Sequence, residues 1–136
     1  MQAQVYKIHS DFYYVKDFKH NSFTCKLREL LKKQKTDIRV GDYVELSKDN
    51  NFITTLLKRN NSLEKPKVSN IDLAVVVCAL KEPELDFIQL NRYLIYLKYH
   101  NIDTIICFNK EDLINDINSK ANEINQIYTN LGYKTF

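Results

Sequence analysis

The spacing of apolar residues changes partway along this chain, and that change limits the folds open to it. Before Pro66, apolar residues come in short alternating runs. Val5-Tyr6-Lys7-Ile8, Phe12-Tyr13-Tyr14-Val15, Phe23-Thr24-Cys25, Val40 to Leu46 and Phe52 to Leu57 each carry the β-branched and aromatic residues of strands. Turn-like residues separate them at Asp17 to Asn21 and Ser47 to Asn51, and Gly41 starts the fourth run. Five short strands at this spacing predict a small barrel or sandwich. Leu27 to Gln34 reads locally as a helix, which leaves the conformation of residues 28–35 open.

Lys58 to Asn70 is polar, aperiodic and contains Pro66, so it reads as the connector between two domains. Beyond it the pattern is different. Ile71 to Leu80 is continuously apolar, as in a strand buried on both faces. Pro83 breaks the chain, and Phe87, Leu90, Leu94 and Leu97 follow at helical spacing. Thr104 to Phe108 is a second buried strand. Ile117, Ala121, Ile124, Tyr128 and Leu131 mark a second helix with Gly132 as its C-terminal cap, and Tyr133 to Phe136 begins a third strand. Strand, helix, strand, helix, strand predicts a parallel α/β sheet with right-handed crossovers.

Charge follows the same division. Residues 1–70 carry a net +6 and residues 71–136 a net −3, so the first half is the one suited to a polyanion. Lys26, Arg28, Lys32, Lys33, Lys35 and Arg39 form its densest basic cluster. No run approaches the length of a membrane span, and Met1 to Ser10 lacks the apolar stretch of a signal peptide. A cytoplasmic protein with no membrane partner is expected. Cys25, Cys78 and Cys107 are odd in number and have no metal-ligand spacing, which predicts reduced thiols and no metal site. Tyr6, Phe12, Tyr13, Tyr14, Phe18 and Phe23 include possible base-stacking residues, but most are expected to fill the core of a small barrel. No residue is assigned a catalytic role.

One motif carries chemistry. Asn109-Lys110-Glu111-Asp112 follows directly on the buried strand ending at Phe108, at the carboxyl edge where α/β sheets bind ligands. A carboxylate at Asp112 can accept hydrogen bonds from guanine N1–H and the 2-amino group. Adenine lacks that donor pair and would leave the carboxylate unpaired. The Lys110 stem can cover the base, and the Asn109 amide can tie neighbouring loops. Asn109, Lys110 and Asp112 are the expected guanine-binding residues. The alternative reading is a polar turn with Asp112 as a helix N-cap. A phosphate loop needs G-x-x-x-x-G-K-[ST], and neither Gly41 nor Gly132 begins one.

The segment Arg59-Asn60-Asn61-Ser62-Leu63-Glu64-Lys65-Pro66-Lys67-Val68-Ser69-Asn70-Ile71-Asp72 resembles the R-x-N-x-L-x-R-P-x-V-A-N-I-D connector of the ribosome small subunit-dependent GTPase A family. Phe12-Tyr13 with Val15, Cys25-Lys26-Leu27-Arg28, Val40-Gly41-Asp42-Tyr43-Val44, Leu90-Asn91-Arg92-Tyr93-Leu94 and Leu131-Gly132-Tyr133 are also similar to that family's motifs. Glu29 stands where the family usually has Gly, Lys65 replaces Arg, Ser69 replaces Ala and Asn91 replaces Asp.

The resemblance implies an OB-fold β-barrel, residues 1–62, followed by a partial, circularly permuted G domain of the P-loop GTPase type, residues 63–136. It implies a GTPase that acts with the small ribosomal subunit in late maturation, as a monomer, with the basic cluster on ribosomal RNA. A complete member uses GTP/GDP with Mg²⁺ and carries a structural zinc. This chain stops before the serine-alanine guanine loop, the phosphate loop, the switches and the zinc domain, so alone it is expected to hold none of these cofactors and to be inactive. The alternative is a non-enzymatic OB-fold RNA-binding module with a degenerate α/β appendage.

Overall fold

A computed structural model describes residues 1–79, 86–109 and 117–136, with the backbone alone for 117–122. The chain divides into two compact units, Met1–Ile71 and Asp72–Phe136.

The first unit is a closed five-stranded barrel. Its strands are β1 (Gln2–His9), β2 (Phe12–Asp17), β3 (Ser22–Leu27), β4 (Tyr43–Leu46) and β5 (Phe52–Leu56), in the order β1-β2-β3-β5-β4 with β4 returning to β1. All pairings are antiparallel except β3 with β5. Of the small barrel or sandwich that the five alternating runs predict, the chain forms the barrel, with the OB-like form that the resemblance implies, and closure removes the unpaired edges an open sheet would expose.

Inward positions follow the period of two: Ala3 and Val5, then Val15, Cys25 with Leu27, Val44 with Leu46, and Ile53. A short helix, α1 (Glu29–Lys33), adds Leu31 to this core. The ambiguous segment is therefore helical over five residues, and Lys35 at φ 52 redirects the chain after it. The core is aliphatic. Of the six aromatics expected largely inside, only Tyr13 and Phe23 pack against it, while Tyr6, Phe12 and Phe18 are exposed. That expectation is corrected, because strand register turns Tyr6, Phe12 and Tyr14 outward and Phe18 lies in the turn after β2.

The connector is more ordered than its polar, aperiodic sequence suggests. It forms a hairpin of β6 (Ser62–Glu64) and β7 (Lys67–Ser69) with a cis Lys65–Pro66 peptide in the turn. A buried carboxylate pins it to the barrel. Asp42 is fully buried and accepts hydrogen bonds from Arg59 Nε (2.7 Å) and Nη2 (2.8 Å), Ser69 Oγ (2.5 Å) and Arg39 N (2.7 Å). Burial pushes this carboxyl up, but the hydrogen bonds from Arg59, Ser69 and Arg39 outweigh it and hold it below the ordinary value. Asn70 Nδ2 donates to Gly41 O, and Asn61 accepts from Ile71 N and donates to Ile71 O. Gly41 sits at φ +99, and a Cβ there would lie 2.0 Å from Ser69 O. These contacts hold residues 63–71 with the first unit, so the division falls nine residues beyond the sequence-based boundary at 62.

The second unit holds three parallel strands, β8 (Ala74–Ala79), β9 (Thr104–Asn109) and β10 (Lys134–Thr135), with β9 central. Helix α2 (Phe87–Tyr99) joins β8 to β9, and α3 (Ile117–Asn130) precedes β10. Asp86 caps α2 by accepting from the Ile88 and Gln89 N–H groups. Leu90 and Leu94 of α2 and Ile124 and Tyr128 of α3 pack with Ile106 and Phe108 of β9 and with Val76 and Cys78. Leu131 is exposed, so the α3 stripe ends at Tyr128, and Gly132 takes the left-handed φ of +94 expected of a C-terminal cap. Ile117 and Ala121, the first two residues of that stripe, lie outside the described side chains.

A sheet that grows in one direction through right-handed crossovers places both helices on one face. The other face stays open: Leu73, Val75 and Val77 are 50–63% exposed. Burial of β8 on both faces, expected from its apolar run, is not found.

Candidate nucleic-acid interface and guanine loop

Two places collect the residues singled out by sequence. The first is the carboxyl edge of the parallel sheet. β9 delivers Asn109 there, paired in register with Ala79 of β8 and exposed. β10 lies on the other side of β9, held by Phe108 N to Phe136 O (2.8 Å) and Phe136 N to Ile106 O (2.9 Å). The apolar residues of β9 that precede Asn109 anchor the strand: Ile106 and Phe108 are buried under α2 and α3. Lys110 and Asp112 lie outside the described residues. Among the described residues no group of three His, Cys, Asp or Glu could hold a metal ion.

The second place is the barrel surface around α1. Lys26 lies near the end of β3, Arg28 occupies the N-cap position of α1 without a side-chain capping bond, Lys32 and Lys33 lie in its last turn, and Lys35 follows. All five are exposed. Arg28 also lines a shallow surface cleft with Leu46, Ser47, Lys48, Asp49 and Thr54, so Lys48 joins the basic surface although the sequence cluster omitted it.

Arg39 is a correction to the cluster. It is buried, and its guanidinium is committed to Asp37 (3.0 Å), Leu63 O (2.8 Å) and Glu64 (2.8 Å). Its hydrogen bonds to the Glu64 and Asp37 carboxylates raise its pKa further. This arginine fastens the β6–β7 hairpin and offers nothing to a phosphate. Its sequence neighbours look the same as those of the exposed lysines, so no local signal separated them.

Sequence reasoning also missed a set of lysines on β1 and β2. Lys7 Nζ lies 5.2 Å from the centre of the Tyr14 ring and Lys16 Nζ 4.8 Å from that of Tyr6. Lys26 Nζ lies 5.2 Å from that of Phe12. The available signal was alternation: Phe12, Tyr14 and Lys16 are two residues apart on one strand face, opposite buried Val15.

Cys25 and Cys78 have no reactive setting. Cys25 is buried, and burial with the nearby Asp49 charge pushes its thiol up to about 11. Cys78 is raised by burial and by Cys107. All three are free.

Comparison with known proteins covers the chain in two pieces. The family model described as RsgA N-terminal domain matches residues 2–55, and the one described as RsgA GTPase matches residues 54–136. The small ribosomal subunit biogenesis GTPase RsgA of Clostridium botulinum (strain Eklund 17B / Type B) is 33% identical over 136 residues, covering 98% of this chain and 46% of that protein. The same protein from the Loch Maree strain is 35% identical over 119 residues, covering 85% of this chain and 41% of the relative. YloQ, a circularly permuted GTPase, superposes with a TM-score of 0.82 at 30% identity, over 98% of this chain and 50% of its own. YjeQ from Thermotoga maritima superposes with a TM-score of 0.85 at 31% identity, over the same shares. The chain thus spans about half the length of the relatives it matches.

Proposed function

The chain belongs to the RsgA GTPase family, and from that membership we propose that its protein binds and hydrolyses GTP while engaged with the small ribosomal subunit, late in that subunit's maturation. In this reading the barrel holds the RNA, the α/β unit selects guanine, and Mg²⁺ with the phosphate-handling segments belongs to parts of the family architecture that these 136 residues do not include. The protein works in the cytoplasm as a monomer. Among the described residues no helix is long and apolar enough to cross a membrane.

The observation that carries the proposal is the delivery of Asn109, first residue of an N-K-x-D sequence, to the carboxyl edge of a parallel strand flanked on both sides. Asp112 accepts two hydrogen bonds from the guanine edge, Lys110 lays its stem along the base, and Asn109 ties the loop. On the barrel, Lys26, Arg28, Lys32, Lys33 and Lys35 neutralise RNA phosphates, and affinity falls with salt as counterions are released. Arg39 is left out because it is buried in the hairpin. This chain by itself is inactive in the proposal, since neither glycine opens a phosphate loop.

The test uses a protein carrying the complete family G domain. Asp112→Asn should weaken GTP binding by about 2–4 kcal/mol, because an acceptor of two hydrogen bonds becomes an amide that presents a donor. The variant should gain xanthosine triphosphate binding, since xanthine has a carbonyl where guanine has the amino group. Titration of both nucleotides reads the switch, and undiminished GTP affinity in the variant would remove Asp112 from the site.

A further inference from the structure

The proposed phosphate contacts around α1 leave a neighbouring feature unused: the outer face of β1, β2 and β3. Aromatic rings on a small barrel are expected inside, yet this core is aliphatic and three rings stand on the outer wall. Phe12 and Tyr14 share one face of β2. Tyr6 joins them because the β1–β2 register shifts between Val5 and Lys7, which leaves both Tyr6 and Lys7 outward. Tyr6 and Tyr14 have ring centres 6.5 Å apart. Tyr14 pairs in register with Lys7 on one side and Thr24 on the other, so the rings sit in the middle of a continuous three-stranded surface. Tyr6 is 43% and Phe12 40% exposed.

Each ring has its own lysine. Lys16 stands over Tyr6, Lys7 over Tyr14 and Lys26 over Phe12. A hydrophobic protein partner would meet three ammonium groups here and have to desolvate them. A duplex would bring phosphates to the lysines, but its bases are stacked on one another and cannot reach the rings. An unpaired strand satisfies both groups at once. Its bases lie on the rings while its phosphates take the ammonium groups, which swing aside on flexible stems. Stacking on an exposed ring outweighs the solvent-screened cation–π contact it displaces. Same-face residues on a strand recur at about 7 Å, a step that an extended nucleotide chain can follow.

We propose that the outer face of β1–β3 is a binding site for single-stranded RNA, with Tyr6, Phe12 and Tyr14 as stacking platforms and Lys7, Lys16 and Lys26 as phosphate partners. The proposal deepens the RNA-binding reading of the barrel and rests on it. It differs in separating a single-strand site on this wall from the general phosphate contacts around α1.

The test measures the full chain against a short unstructured RNA and an RNA duplex over a range of salt. Phe12→Leu and Tyr14→Leu keep apolar bulk but remove the flat ring. Each should weaken single-strand binding about tenfold and leave duplex binding unchanged. The double variant Lys32→Ala with Lys33→Ala should weaken both RNAs and flatten the salt slope. The chain has no tryptophan, so Tyr6→Trp supplies a single reporter, and single-stranded RNA should quench it while duplex should not. Ring variants that leave single-strand affinity intact overturn the proposal, as do ring variants that weaken both RNAs alike or a reporter quenched equally by both. If the ring variants act and the lysine pair does not, the stacking wall stands and the α1 contacts fail; the reverse result removes the wall and keeps the α1 contacts. A wild-type chain that binds neither RNA removes both.

Discussion

The barrel and the α/β unit are of similar length, yet they bury their strands in different ways. In the barrel the last strand pairs with the first, so every inward side chain meets others across a closed interior; Val15, Val44 and Ile53 are completely buried. In the α/β unit both described helices lie over one side of the sheet. Ile106 is completely buried on that side, while Val77 on the other is 63% exposed. Val44 and Val77 are the same residue type in comparable strands. What separates them is topology: closure covers the concave face of a barrel, whereas a parallel sheet needs helices on both sides.

The largest expected effect is at the seam that closes the first unit. Gly41→Ala places a methyl group against the Ser69 carbonyl and forces a side chain into a left-handed backbone conformation. The loss should be about 4 kcal/mol, enough to unfold the barrel or detach its hairpin. Chemical denaturation followed at barrel amides measures it, and a variant of near wild-type stability would mean that the hairpin is not packed against Gly41 in solution.

Asp42 sharpens the same comparison through pH. Its carboxyl titrates below the ordinary aspartate value of 3.8. A lowered folded-state value means that the stabilisation is fully present above that ordinary value and is lost as pH falls through the lowered one. Asp42→Asn should cost about 3 kcal/mol near neutrality, at the low end for a broken buried pair because Arg59 is partly solvated. Denaturation curves at neutral and acid pH should converge for wild type and variant as the wild-type carboxyl takes up its proton. A gap between them that stays constant into acid would assign the loss to packing instead of charge.

The smallest effect is expected on the open sheet face, set against a substitution inside the barrel. Ile53→Ala, inside the barrel, should cost about 3 kcal/mol, whereas Val77→Thr, on the open sheet face, should change stability by less than about 0.5 kcal/mol. Hydrogen exchange carried out alongside should protect β1–β5 more strongly than β8–β10. A large loss at Val77 would mean that something covers that face in solution.

Much of this molecule is legible in the order of its residues. Alternating runs of β-branched and aromatic residues located all five barrel strands, and the switch to apolar runs spaced by helical stripes located a parallel α/β unit. Strand and helix periods are local properties, so they survive in one dimension. Asn109 at the end of an apolar run could likewise be assigned to the carboxyl edge of a sheet before any coordinates. The hairpin in the connector was not legible, because its order comes from Asp42, Arg59 and Asn70, which are far apart in sequence and meet only once the barrel has closed. Arg39 and Lys35 looked alike for the same reason; one is buried beneath the hairpin and the other faces water. The outward rings depend on register, where a shift of one residue exchanges the two faces of a strand. The sequence by itself determined which segments become strands and helices and where the polar motif falls. The tertiary structure alone decided which charges stay free, which rings face out and which sheet face stays open, because burial depends on neighbours brought together by folding.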